Sequence, residues 1–120
     1  MRRFLAFFAL LGALAVGTTA YAEPPSAQLV IKDQVFTVQE LILPADTKVK
    51  LVVENQDSIP AEFESYDLSR EVVVPGHSSI AVYLGPLSPG RYNFFNDFNH
   101  AAQGWVVVNA SDAAKTGNPK

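Results

Sequence analysis

The 120-residue sequence has no cysteine, two histidines, one tryptophan and a single methionine, which is the first residue. Without cysteine no disulfide can support the fold, no thiolate can hold a metal, and no thiol nucleophile exists. With only His77 and His100 and no G-x-S-x-G, a nucleophile–base arrangement cannot be built either. Glycine-rich phosphate loops are also missing. Basic residues are the minority, nine Lys and Arg against twelve Asp and Glu, for a net charge of −3. That balance argues against nucleic acid and anionic lipid as partners and is compatible with attracting cations.

Long apolar runs are equally scarce, with one exception at the start of the chain. Arg2 and Arg3 precede an apolar stretch from Phe4 to Val16, and Ala20-Tyr21-Ala22 offers an A-x-A cleavage site. The stretch falls short of the about 20 residues needed to cross roughly 30 Å of hydrocarbon. Residues 1–22 therefore read as a signal peptide cleaved after Ala22, and the protein as exported to the periplasm. Without Arg2 and Arg3, seven basic residues face twelve acidic ones, a net charge of −5. Residues 23–110 read as one domain, and the polar segment 111–120 as a flexible C-terminal tail.

Within the domain, short apolar runs alternate with turn residues, which predicts an all-β sandwich. Gln28 to Lys32 reads as one strand and Phe36 to Leu43 as a second, bent one. In Lys48 to Glu54, residues Val49, Leu51 and Val53 share one face, and in Ser79 to Leu84 so do Ile80, Val82 and Leu84. Between these lie the predicted strands Ala61 to Ser65 and Glu71 to Val74. Arg91 to Phe95 and Trp105 to Val108 close the sheet, joined by a loop from Asn96 to Gly104.

Two segments carry a family resemblance. Arg91-Tyr92-Asn93-Phe94-Phe95-Asn96 resembles the last hairpin of cupredoxins, in which Y-x-F-[YF]-C supplies the copper-binding cysteine; Asn96 stands at that position. Asn55-Gln56-Asp57-Ser58-Ile59-Pro60-Ala61 is similar to the cupredoxin N-x-x-x-x-P-H, with Ala61 where the first ligand histidine would be. Asn99 aligns with the second histidine, with His100 one place further on, and the axial methionine has no counterpart. The resemblance implies a cupredoxin-like Greek-key sandwich of about seven to eight strands. The missing thiolate excludes a type 1 (blue) copper site.

A narrower resemblance runs through Ala61-Glu62-Phe63-Glu64-Ser65, Asp67-Leu68, Pro86-Leu87 with Pro89-Gly90, and Phe94-Phe95-Asn96-Asp97-Phe98. These motifs, in this order, resemble the small periplasmic cupredoxin-like proteins associated with Ftr-type and Efe-type bacterial iron uptake. The chain departs from them in reading Asn99-His100 after Phe98. The resemblance implies an accessory protein that binds an iron or copper ion and assists iron oxidation or delivery. Its partners would be an Ftr-type permease and a periplasmic iron-binding protein, with membrane contact only through the permease. A docking module without metal is the alternative.

The residues themselves offer a candidate site. Glu62 and Glu64, two apart on a strand, share a face, and paired carboxylates suit hard or borderline cations such as iron, manganese or calcium. Strict alternation puts Ala61 and Phe63 on the opposite face, so a carboxylate site would lie beside the copper position unless a bulge intervenes. Asp97 and His100 are expected to approach the glutamates and complete the ligand set, with Glu71 a further candidate. Each has a plainer reading: solvated glutamates, a turn-forming Asp97 and an exposed loop histidine. His77, after Pro75-Gly76, reads as a solvent-facing turn residue.

Overall fold

The computed structural model describes residues 23–110 together with positions 12, 13 and 17; the expected signal peptide and C-terminal tail lie largely or wholly outside the described residues. Among the described residues nine strands follow one another: β1 (Ser26–Lys32), β2 (Val35–Phe36), β3 (Glu40–Pro44), β4 (Val49–Asn55), β5 (Ala61–Ser65), β6 (Arg70–Val74), β7 (Ser78–Leu84), β8 (Gly90–Asn96) and β9 (Asn99–Asn109). There is no helix among the described residues. The strands form two sheets, a four-stranded one ordered β2-β1-β4-β7 and a five-stranded one ordered β3-β9-β8-β5-β6. Pairing is parallel between β1 and β4 and between β3 and β9, and antiparallel elsewhere.

The all-β sandwich matches the expectation, and the structure differs from it at two places, the first of which brings the count to nine. The single bent strand expected from Phe36 to Leu43 is two, because the chain changes sheets there. β2 belongs to one sheet and β3 to the other. The crossing is tied at both ends, the Thr37 N–H donating to Val30 O and the Trp105 N–H to Gln39 O. The second difference bears on the site. The loop expected from Asn96 to Gly104 is only the two-residue turn Asp97-Phe98, and β9 begins at Asn99. His100 is consequently a strand residue.

Alternation along each strand supplies the core, since successive side chains take opposite faces of a sheet. Leu29, Ile31, Leu51, Val53, Val82 and Leu84 of one sheet meet Leu43, Phe63, Val74, Phe94, Val106 and Val108 of the other. Phe94 sits at the centre, edge-on to Phe36 at 4.8 Å between ring centroids and tilted against Phe63 at 5.4 Å. Its ring lies over Gly104, where any Cβ would collide with it.

Candidate metal centre on the outer face of β5

β5 lies between β6 and β8, and all five of its residues are buried. Ala61 and Phe63 face the core. Glu62 and Glu64, by alternation, face away from it, yet they are only 3% and 8% exposed. The plainer reading, two solvated glutamates, therefore fails. Glu62 lies across from Val73, and Glu64 has Glu71 on one side and Phe95 on the other. Tyr66 leans on Phe95 with ring centroids 5.3 Å apart. Apolar neighbours on both flanking strands thus exclude water from a strand face that the sequence pattern marks as exterior.

Three of the sequence-predicted residues converge here, and His100, expected as a further ligand, does not join them. One carboxylate oxygen from each of Glu62, Glu64 and Asp97 lies within 4.8 Å of the others. Asp97 reaches the cluster because the tight turn brings it beside β5; a long loop would not have fixed it there. Glu71 joins through Glu62, its carboxyl lying within hydrogen-bond reach of the Glu62 carboxyl. Two ionised carboxylates have no donor between them, so that bond exists only when the pair shares a proton. His100 stands one layer further out, its Nε2–H donating to Asp97 Oδ1 at 2.9 Å and its ring edge-on to Phe95 at 6.1 Å. The imidazole is largely exposed, so Asp97 connects the histidine to the glutamates. His77 is elsewhere, at φ 51° in the turn before β7, where it lines a separate shallow cleft of about 350 Å³ with Glu54 and Asn55.

The electrostatics follow from this packing. Glu62 is pushed up from the usual carboxylate range to about 7, first by burial, then by the Glu71 contact and the negative charges of Glu64, Glu71 and Asp97. Two oxygens, Glu62 Oε1 and Glu64 Oε2, are buried without any hydrogen-bond partner. Buried polar atoms are almost always paired, and burying an unpaired carboxylate is costly. Among the described residues, no lysine or arginine side chain bonds to these oxygens. Arg70, the nearest guanidinium in sequence, donates instead to the carbonyls of Leu68, Ser69 and Tyr83. A cation placed among the three carboxylates would satisfy both orphaned atoms and cancel the repulsion.

One participant was not assigned a role from sequence. Asn96, 3% exposed, turns its side chain inward and accepts hydrogen bonds at Oδ1 from the Glu62 N–H at 3.0 Å and the Phe98 N–H at 3.1 Å. The second bond is the local turn that Asn makes readily, and it was legible in principle; the cross-strand bond to Glu62 was not.

Comparison with known proteins places this geometry in context. The chain matches the family described as cupredoxin-like domain over residues 4–108. An uncharacterized protein of Rickettsia prowazekii (strain Madrid E) is 43% identical over 83 residues, which cover 68% of this chain and 66% of that protein. The chain thus spans just under two thirds of that relative's length. Among solved structures, auracyanin A, a "blue" copper protein from Chloroflexus aurantiacus, superposes with a TM-score of 0.61 at 15% identity, covering 72% of this chain and all of that one. The metal binding domain of the Cu(I)-exporting P-type ATPase CopA from Streptococcus pneumoniae D39 gives 0.61 at 9% identity, covering 71% and 85% respectively. At such identities the likeness concerns the fold alone.

Proposed function

The chain belongs to the cupredoxin-like domain family, and on that premise we propose that it is a cation-binding member whose site is the carboxylate cluster on the outer face of β5. The observation that carries this reading is the pair of buried, unpartnered oxygens of Glu62 and Glu64, with the Asp97 carboxylate beside them. The copper of the blue proteins does not fit these residues: the chain has no cysteine, and Asn96 is spent on two backbone amides. An all-oxygen donor set suits iron(III), iron(II), manganese(II) or calcium better than copper(I). Glu62, Glu64 and Asp97 would hold the ion. Glu71 stands beside the pair on β6, across from Glu64, and His100 orients Asp97.

The physiological ion in this proposal is iron, held in the periplasm for hand-over to an Ftr-type permease and its periplasmic partner. Support comes from the ordered motifs shared with proteins associated with such uptake systems, and from the preference of iron for carboxylate oxygen. Binding and release need only the ionisation of carboxylates, which pH and a competing ligand set control. The docking-module alternative draws on the exposed rings of Tyr66 and Phe98 near the cluster, 78% and 57% accessible. It leaves the orphaned carboxylate oxygens without a purpose.

Calorimetry with manganese(II), and an anaerobic titration with iron(II), test the reading on the purified protein. Wild type should bind one ion, and the Glu62→Ala/Glu64→Ala variant should lose at least a hundredfold in affinity. Equal affinity in the two proteins would remove these residues from any site. Slower growth of a deletion strain under iron restriction, restored by wild type and not by the double variant, tests the uptake role separately.

A further inference from the structure

We infer that Asn96, the residue standing where the resemblance places a ligand cysteine, is the positioning residue that sets the spacing of the carboxylate site on the opposite face of the sheet. The inference rests on the cation-binding reading above. Its side chain points into the sandwich and touches none of the three candidate ligands through their carboxylates, so any action must pass through the backbone.

The connection is direct. Asn96 Oδ1 is one acceptor shared by two amides, the Glu62 N–H on β5 and the Phe98 N–H in the turn. Asp97 lies between the two residues at the ends of the turn bond, and Glu62 is the residue whose own N–H is held. One oxygen atom therefore fixes the backbone of two ligand-bearing segments that come from positions 34 residues apart in the chain. No regular ladder bond does this work. Residue pairing between β5 and β8 is registered only at Glu64–Phe95, and the β8–β9 ladder breaks register between Phe95 and Asn96. At the place where the ladder lapses, the Asn96 side chain substitutes for it. The surroundings allow the bond to persist, because Asn96 is 3% exposed and water does not compete for its oxygen.

Metal affinity is sensitive to such support, since groups that orient ligands typically contribute 10- to 100-fold. Asn96 should thus govern affinity without being a ligand, and without being replaceable by the cysteine of the blue-copper pattern.

The test compares three variants by manganese(II) calorimetry and thermal unfolding of the metal-free protein. Asn96→Ala should bind at least tenfold more weakly than wild type. Asn96→Asp, which keeps the acceptor oxygen, should recover affinity to within threefold of wild type or better. Val82→Ala, a core truncation in the other sheet, should lower the melting temperature and leave affinity unchanged. Wild-type affinity in Asn96→Ala overturns this inference alone, as does an equal loss in Val82→Ala, which would make the effect one of general stability. Absence of manganese binding by wild type overturns the site and the inference together. Should Asn96→Ala not fold, amide hydrogen exchange in the wild type decides. The Glu62 and Phe98 amides should be slowed together on manganese-site occupancy by diamagnetic lanthanum(III), and unchanged exchange at both overturns the inference.

Discussion

β4 and β5 carry glutamates in the same pattern and use them in opposite ways. On β4, Glu54 alternates with the core residues Val53 and Asn55, faces outward, and accepts a 2.9 Å hydrogen bond from Gln28 Nε2 on the neighbouring strand. On β5, Glu62 and Glu64 alternate with Phe63 and also face outward, but their neighbours are Val73, Phe95 and Glu71. The first carboxylate is partnered and wet. The other two are dry, close to each other and to Asp97, and partly unpaired. Alternation decides which face a side chain takes; what covers that face decides whether a carboxylate there is a solubilising group or a site in want of a cation.

The comparison can be broken at several points. The largest effect is expected from neutralising one member of the dry pair. In the metal-free protein at pH 8, Glu62→Gln should stabilise the fold by about 3 kcal/mol, because a group held near 7 is ionised there at a cost that glutamine does not incur. Glu54→Gln should change stability by no more than about 0.5 kcal/mol, as for a surface substitution. Urea unfolding of both variants checks the contrast, and equal effects would erase the distinction between the strands. A smaller change is expected at the outer layer. His100→Ala should weaken manganese binding about tenfold through the freed Asp97 carboxylate. Complete loss would make the imidazole a ligand, and no change would make it a bystander. The smallest effect is expected from copper: adding copper(II) to wild type should produce no intense visible charge-transfer band, since no thiolate exists to generate one. Such a band would contradict the donor set.

Much of this was legible in the residues. The span Ala61–Ser65 came directly from alternation between a proline and a turn, and most other strands differ from the reading by a residue or two. The sheet change between Phe36 and Glu40 was hidden because an uninterrupted apolar pattern does not say which sheet it serves. The start of β9 was hidden by polar residues, Asn99, His100 and Gln103, which look like a loop and form an edge of the hairpin instead. At the site, the residue types were readable, and so was the shared face of Glu62 and Glu64. Their burial was not, since it depends on Phe95 arriving from β8, far along the chain, as well as on Val73 across the β5–β6 hairpin. Nor was the dual bond of Asn96, which needs the third dimension to bring Glu62 to it.

The central claim is that the outer face of β5 is built for a cation, and stability against pH tests it most directly. In the metal-free protein the folded state holds the Glu62 proton up to about 7 while the unfolded chain releases it near 4.5. Folding then binds more protons, so stability should be greatest below that window and fall by about 3 kcal/mol as pH rises through it. A cation binds only the ionised cluster, so with excess manganese(II) neither the folded nor the unfolded chain carries the Glu62 proton across this window, and the fall should flatten out. Urea midpoints measured from pH 4 to 8, with and without the ion, give both curves. A fall without the ion and a level curve with it are the predicted result; a falling curve unaltered by manganese(II) would contradict the account.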